Sequence, residues 1–241
     1  HVQFKLRVEG DTIAVEDISL TVGQTRVSGV ARIELSEPVA ADLFFQASPL
    51  QFSDFEPFLP DQSLTGLVTF DLAVQATADS VRLQFDGGRD EQHITLAGTA
   101  HQLSSVPKFA LEGRLTNFAP SAWMEQAPFE GVLNGTLALE GSGNEPENAD
   151  VEFRLDLEES LIQDRPVGSL QAHAKLAQQN IVGQLNGQST FGDFKVDFRC
   201  DSLLTKEGFR IDAEVAALNL NPVLQNDSLS TDINLQLEAE G

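Results

Sequence analysis

The side chains that most often carry chemistry in proteins are few in this chain, and their spacing does not bring them together. None of the four histidines has metal-ligand spacing with another histidine or with the single cysteine. The cysteine falls on the apolar side of an alternating segment, a position typical of a small buried residue and not of a nucleophile. These residues are His1, His93, His101, His173 and Cys200. We therefore expect neither a metal site nor a cofactor.

Motifs of catalysis and of nucleotide binding are missing as well. Glu158 and Glu159 are adjacent in sequence, so in a strand they point to opposite faces and are unsuited to joint acid–base work. The glycines form neither the Gly-x-Gly-x-x-Gly pattern nor a phosphate-binding loop, and no Gly-x-Ser-x-Gly elbow is present. We assign no catalytic residue and expect that the chain is not an enzyme.

The charge of the chain limits the classes of partner that we expect it to bind. Its 241 residues carry a formal net charge of −22, which corresponds to a pI near 4.3. Nucleic acid and anionic lipid head groups both require clustered Lys and Arg, so neither is an expected partner. The acidic residues are expected to form a solvated outer face. With 41% hydrophobic residues, the chain can still bury a sizeable apolar surface.

The elements that position these side chains are predicted to be β-strands. Over residues 151–158, apolar side chains alternate with Glu, Arg and Asp, which gives one oily face and one charged face. Such alternation recurs between turn signals such as Asp86-Gly87-Gly88, and no helical periodicity is sustained. The predicted class is all-β, built as an antiparallel meander. The predicted strands are 2–8, 13–22, 27–35, 43–46, 68–74, 81–85, 94–96, 109–115, 133–140, 151–157, 170–176, 181–185, 194–200, 209–215 and 233–237.

Three proline-bearing segments interrupt the strands, at 49–60, 118–131 and 218–224. Because proline cannot donate to a ladder, we interpret them as crossing segments, the second of which includes one helical turn. A long alternating strand follows each of them, and three copies indicate a repeat. Because alternation is already under way at the first residues and continues almost to the last, we expect an internal piece of a longer protein.

The predicted domains follow these crossing segments. Residues 1–60 are the end of a preceding repeat plus its crossing segment, 61–130 and 131–228 are each a repeat plus a crossing segment, and 229–241 start the next repeat. A module of about 60 to 100 residues that recurs in this way builds an extended object more readily than a compact one.

The aromatic residues leave two interpretations of the oily face open. The chain has 16 Phe, one Trp and no Tyr. Tyr suits half-wet strands because its hydroxyl needs a partner, whereas Phe suits a wall that touches hydrocarbon. A packed sandwich core favours Phe equally, and period-two alternation looks the same in both arrangements. Composition alone does not decide whether this face is open or covered.

Four stretches of sequence resemble a known family. They are 115–123, 129–141, 161–170 and 218–222. In these strand-and-turn patterns the chain resembles, over most of its length, the TamB branch of the AsmA-like family, whose members are anchored in the inner membrane of diderm bacteria. The strong acidity and the absence of Tyr depart from the family's pattern.

The resemblance implies both a fold and a function. The fold is an elongated, curled antiparallel sheet that forms an open β-groove from repeated units with short crossing segments. In the periplasm, such a groove conducts phospholipid acyl chains between the inner and outer membranes and supports outer-membrane biogenesis. An outer-membrane barrel partner similar to TamA would engage regions of the longer protein outside this chain.

The apolar positions of the clearest strands are the expected groove wall. They are Val68, Phe70, Leu72, Val74, Leu133, Leu137, Leu139, Val151, Phe153, Leu155, Leu157, Phe194, Val196, Phe198, Phe209, Ile211, Val215, Ile233, Leu235 and Leu237. The alternative from another class is an extended structural or adhesin-like β-repeat protein with a closed core, acting as a scaffold or as an assembly factor for outer-membrane proteins. The repeat favours the groove.

Overall fold

The computed structural model describes residues 1–54, 66–124, 130–145, 147–162, 165–189, 192–201, 208–218 and 233–240. Within these residues the chain is almost entirely β-strand, and neighbouring strands are antiparallel, so the predicted fold class is confirmed. One short helix, α1 (Pro120–Trp123), interrupts the strands. The chain divides into two compact units, His1–Val132 and Leu133–Gly241.

The first unit is an antiparallel meander of eight strands, and their order in the sheet is their order in the chain. The strands are β1 (Val2–Glu9), β2 (Thr12–Val22), β3 (Thr25–Glu34), β4 (Ala40–Gln51), β5 (Leu67–Thr77), β6 (Ser80–Arg89), β7 (Gln92–His101) and β8 (Lys108–Phe118). Among the described residues no ladder joins β1 to β8, so the sheet of this unit is open.

The second unit repeats the same architecture with seven strands, again in chain order. They are β9 (Gly131–Ser142), β10 (Asp150–Ile162), β11 (Arg165–Ala177), β12 (Asn180–Ser189), β13 (Gly192–Cys200), β14 (Phe209–Leu218) and β15 (Ile233–Glu240). In the described part of this unit β9 and β15 are not paired with each other, so this sheet is open too. The repeat boundaries expected from the sequence stay a prediction.

One predicted turn is wrong. Asp86, Gly87 and Gly88 lie inside β6 and pair with β7, and the chain turns instead at Asp90, whose φ is 55°. Aspartate is one of the few residue types that enter this left-handed region readily. Gly87 remains in the strand because an aromatic ring covers it: a Cβ added there would lie 2.6 Å from Phe85 Cζ.

The crossing segments match the sequence-based prediction in part. Pro49 lies inside β4 and not in the first crossing, because the β4–β5 ladder shifts its register between Ala47 and Leu50 and leaves the proline without a ladder position. The crossing therefore begins with a short turn at 52–54. Helix α1 confirms the single helical turn expected in the second crossing. Residues 55–60 and 219–224 of the other two crossings lie outside the described residues.

The described residues of each unit do not form a sandwich core. Their strands make close backbone contacts with their neighbours in the sheet. Fully buried hydrophobic side chains are confined, in the described part of the chain, to Ala47, Val68, Trp123 and Leu157. A sandwich core would bury alternate residues of every strand. In the same ranges, no helix has the length and hydropathy needed to cross a membrane.

Candidate functional site, an apolar sheet face

Pairing between strands collects the apolar side chains of the second unit on one face. Directly paired residues of an antiparallel ladder point to the same side of the sheet. One row of such pairs crosses six strands and runs Leu155, Ala172, Leu185, Val196, Ala213, Leu237. The flanking rows are Phe153, Ala174, Gly183, Phe198, Ile211, Ala239 and Leu157, Leu170, Gly187, Phe194, Val215, Leu235. Every position in these rows is apolar or glycine.

The first unit has an equally continuous apolar face. One row of paired residues crosses all eight strands and runs Leu6, Val15, Ala31, Leu43, Val74, Leu83, Gly98, Leu111. A second complete row runs Val2, Leu20, Val27, Ala47, Phe70, Gly87, Ile94, Leu115. We call these two surfaces the apolar faces, and the opposite surfaces the polar faces.

The structure places the predicted wall residues on these faces wherever the register is described. Those of β5 lie on the apolar face of the first unit, and those of β10, β13 and β14, with Leu235 and Leu237 of β15, lie on that of the second. Leu133, Leu137 and Leu139 alternate along β9 and share one face of the strand with Gly141. A Cβ added at Gly141 would lie 3.1 Å from Cγ2 of the predicted wall residue Val151. Ile233 pairs with Leu218 beyond a register shift. Their role as a groove wall stays a prediction.

The prediction from sequence missed half of the surface. It assigned no wall residue in β1–β4, β6–β8, β11 or β12, although all of these strands contribute to the apolar faces. Many of the missed positions are Ala and Gly, which carry little hydrophobicity of their own. The signal was available in the period-two pattern itself, as in the alternation of Leu170, Ala172, Ala174 and Leu176 with polar residues.

The side chains of the apolar faces are partly exposed within the described part of each unit. In the middle of each sheet most of the larger side chains are half-buried. At the edge strands exposure is higher: Leu6 is 57% exposed and Leu237 is 58% exposed. Surfaces of this extent are rarely left bare in soluble proteins and mark binding sites.

The polar faces carry the charge. The row next to Leu185 on the other side of the sheet runs Asp156, Gln171, Asn186, Lys195, Glu214, Gln236. Lys195 Nζ lies 2.9 Å from Asp197 Oδ2, and hydrogen bonds from Lys195 and then from Gln184 lower the pKa of the Asp197 carboxyl. These ion pairs are exposed, so they favour solubility more than stability.

One patch of the first unit's polar face is apolar. Val30, Phe44 and Ala73 are paired in one row there, and Phe44 is 43% exposed. Arg32 and Arg82 are among the polar residues that border the patch, in an open depression of about 760 Å³. Phe44 and its neighbour Phe45 thus occupy opposite faces of β4, so they form a natural matched pair for experiments.

The first crossing is attached to the turn between β2 and β3. The Asp54 carboxylate accepts hydrogen bonds from the backbone N–H groups of Gln24 and Thr25, at 3.1 and 2.9 Å, and from the Thr25 hydroxyl at 2.8 Å. Thr25 is fully buried beneath this contact. The hydrogen bond from the Thr25 side chain is the main cause of the lowered pKa of Asp54. We call this set the first latch.

The second crossing is attached in the same way to the turn between β6 and β7. The Trp123 indole Nε1–H donates to Gln92 Oε1 at 2.8 Å, and the Ala119 N–H donates to the same oxygen at 3.2 Å. Arg89 donates to the Ala122 carbonyl at 2.8 Å. We call this set the second latch. In both latches the crossing after a strand binds the turn two strands earlier.

The latches lie on the apolar side of the first unit. Thr25 stands two residues before Val27, and Gln92 two residues before Ile94, so by strand alternation they share the side of those apolar residues. The described residues of these two crossing segments, 52–54 and 119–124, therefore contact one end of the strands. These contacts were not predicted from the sequence, because they join residues about 30 positions apart through side chains common in any loop.

The chemistry available on the apolar faces is non-directional contact with hydrocarbon. No group of three or more His, Cys, Asp or Glu within the described ranges is arranged to hold a metal ion. Comparisons of the chain with protein-family models, with curated proteins and with solved structures find no match. The resemblance to the TamB branch of the AsmA-like family therefore stays a prediction that rests on the sequence patterns.

Proposed function

We propose that the apolar faces bind phospholipid acyl chains, and that the chain is a segment of a periplasm-spanning bridge conducting them between the inner and outer membranes in support of outer-membrane biogenesis. One observation carries the proposal. Rows of paired apolar residues cross β1–β8 and β10–β15 without a polar interruption, and few of their side chains are fully buried within the described part of either unit.

The energetics of such a surface suit transport. Each methylene removed from water contributes about 0.8 kcal/mol, so a long acyl chain on the face gains several kcal/mol. A surface without hydrogen-bonding groups has no preferred register for the chain, so the barrier to sliding is small. The face thus binds an acyl chain and still allows it to move.

The polar faces are compatible with the proposed location in the aqueous space between two membranes. Their acidic character, in a chain of net charge −22, disfavours flat adsorption to an anionic membrane surface. The lipid head group would stay in water at the margin of the apolar face. Location in the periplasm, anchoring of a longer protein in the inner membrane and a TamA-like barrel partner belong to the same proposal and rest on the family resemblance.

The competing proposal is a structural or adhesin-like β-repeat protein, or an assembly scaffold. It requires that the apolar side chains be covered by protein. The half-buried state of these side chains within each unit favours the lipid proposal over this one.

The test is extraction of the purified chain, produced in a diderm bacterium, with organic solvent and analysis of the extract by mass spectrometry. We expect phospholipid in at least stoichiometric amount. Phe45→Glu, on the apolar face, should lose it, because a carboxylate must be desolvated beside the acyl chain. Phe44→Glu, one residue away on the polar face, is the matched control and should retain it. An extract of the unaltered protein without phospholipid contradicts the proposal.

A further inference from the structure

Glycine and phenylalanine are paired across strands on both apolar faces. In the second unit, Gly183 pairs with Phe198 and Gly187 pairs with Phe194. A Cβ added at either glycine would fall within the ring of its partner. Both glycines are buried, and the three atoms nearest to each added Cβ belong to the partner's ring. The rings therefore lie flat against the neighbouring strand and do not project from the sheet.

The first unit has one pair of this kind, and in addition one glycine covered by a ring of its own strand. Gly29 pairs with Phe45, and an added Cβ would lie 2.6 Å from Phe45 Cδ1. Gly87 pairs with Phe70, and an added Cβ would lie 3.1 Å from Phe70 Cβ and 2.6 Å from Cζ of Phe85. The rings of Phe70 and Phe85 are 5.7 Å apart and tilted by 31°. Four glycines thus accept aromatic rings in the space that their own side chains would otherwise fill.

The height of the apolar surface depends on these pairs. A phenylalanine beside a residue with a side chain must direct its ring away from the sheet, because interiors are close-packed and the two groups cannot share one volume. Beside glycine the ring can cover backbone instead. The outcome is a low surface of ring faces and small residues, along which an extended hydrocarbon chain can lie in contact with the sheet over its length.

We propose that the glycine–phenylalanine pairs determine specificity for extended, linear acyl chains by keeping the floor of the apolar face low. This inference rests on the proposed function and assigns the feature that sets the shape of its ligand. The glycines are the determinants, since they position the rings. Phe198 and Phe194, each opposite a buried glycine, are the clearest instances.

The test compares Gly183→Ala with the unaltered protein. Gly183 does not have a positive φ, and the atoms that its new Cβ would meet belong to the end of a flexible side chain. The sheet should therefore remain folded while the Phe198 ring swings up into the space of the acyl chain. We expect the amount of bound phospholipid to fall several-fold. The double variant Gly183→Ala with Phe198→Ala should restore binding, because no ring remains to obstruct the face.

Gly168→Ala is the matched control. It adds the same methyl group to the neighbouring strand β11, where the nearest atom, the Gln188 carbonyl oxygen, is 3.4 Å from the new Cβ. Its bound phospholipid should equal that of the unaltered protein. Circular dichroism and the thermal unfolding midpoint of all variants establish that the sheet is retained.

A readout without lipid separates this inference from the proposed function. A ring lying over a glycine shifts the resonances of its Hα protons upfield in NMR spectra, so Gly183 should show this shift in delipidated protein and lose it in Phe198→Ala. If the unaltered protein binds phospholipid but Gly183→Ala binds as much, the inference is overturned and the function stands. If no phospholipid is bound at all, both are overturned, and the Gly183 shift still reports whether the pair exists.

Discussion

Phe44 and Phe45 are adjacent in β4, yet Phe44 lies on the polar face of the sheet and Phe45 lies on the apolar face. Around Phe45 every paired position across the sheet is apolar or glycine, and the row extends through seven strands. Around Phe44 the paired rows contain Arg32, Asp42 and Gln75, and the apolar patch ends within a few residues. The same strands thus present a polar surface on one side of the sheet and an apolar surface on the other.

The contrast also shows where the fold obtains its stability. In a sandwich the apolar side would be covered and would supply a core, but here the described residues of each unit bury few hydrophobic side chains completely. The stability of the fold therefore comes from the backbone ladders, from contacts between neighbouring side chains and from the latches. A bound acyl chain would stabilise the fold further if it binds only the folded state.

The largest expected effect is a charge placed on the apolar face. Phe198→Glu or Phe153→Glu should block lipid transfer between vesicles by at least about tenfold, since a desolvated carboxylate in the path costs several kcal/mol. Val182→Glu is the matched control, because Val182 is on the polar face and 51% exposed. It should transfer lipid at the normal rate. Normal transfer by a correctly folded Phe198→Glu protein would refute the assignment of this face.

The next largest effect concerns the second latch. Gln92→Ala removes the acceptor of two hydrogen bonds and leaves the buried Trp123 indole N–H without its partner. We expect the free energy of unfolding to fall by about 1 to 3 kcal/mol. Denaturant titration followed by the fluorescence of Trp123, the single tryptophan of the chain, measures it.

Gln84→Ala provides the comparison for this latch. Gln84 is exposed on the polar face of the neighbouring strand β6, so its removal should leave the free energy of unfolding within experimental error. Equal stability of the Gln92→Ala and Gln84→Ala proteins would show that the latch does not hold the crossing segment in place.

A smaller effect concerns pH and the first latch. The pKa of Asp54 is lowered from its usual 3.8, first by the hydrogen bond from the Thr25 side chain. Because the folded pKa lies below the unfolded one, the stabilisation is complete above pH 3.8 and is lost as the pH falls through the folded pKa. Asp54→Asn should therefore flatten the acid limb of the stability curve below this pH. An unchanged acid limb, measured by urea unfolding from pH 5 down to the acid transition, would contradict this role.

The smallest effect is expected on the polar face. Arg154 is exposed and pairs with Glu152, whose pKa it lowers together with His173. Arg154→Gln should leave the thermal unfolding midpoint and the bound phospholipid unchanged, since exposed ion pairs are screened and flexible. A clear drop in bound lipid in this variant would mean that the two faces are not functionally distinct.

The strands were predictable because apolar and polar residues alternate when the two faces of a sheet lie in different environments. Each of the fifteen strands overlaps a predicted strand, although several, such as β4 and β6, extend beyond it, and α1 lies in the predicted second crossing. The interpretation of Asp86-Gly87-Gly88 as a turn was wrong, although glycine pairs are common in turns. Gly87 and Gly88 pair with residues of β7, and this pairing is not specified by the local sequence.

The candidate surface was predictable in kind but not in detail. Bulky positions of the clearest strands, such as Phe153, were identified from the sequence, whereas small positions such as Ala172 and bulky positions of other strands such as Leu83 were not. The spacing of Gly183 from Gly187 equals that of Phe194 from Phe198, a signal that becomes meaningful only once the two strands are paired in antiparallel register. The latches were not predictable, since they depend on a turn and a crossing segment that are distant in sequence.

The most direct test of the central claim locates the lipid on the sheet. A benzophenone-bearing phenylalanine analogue is placed at Phe45 in one protein and at Phe44 in another, both are irradiated in living diderm bacteria, and the purified chains are analysed for covalent adducts by mass spectrometry. An open apolar face that carries acyl chains predicts phospholipid adducts from Phe45 and none from Phe44. Adducts from neither position, or equally from both, would contradict it.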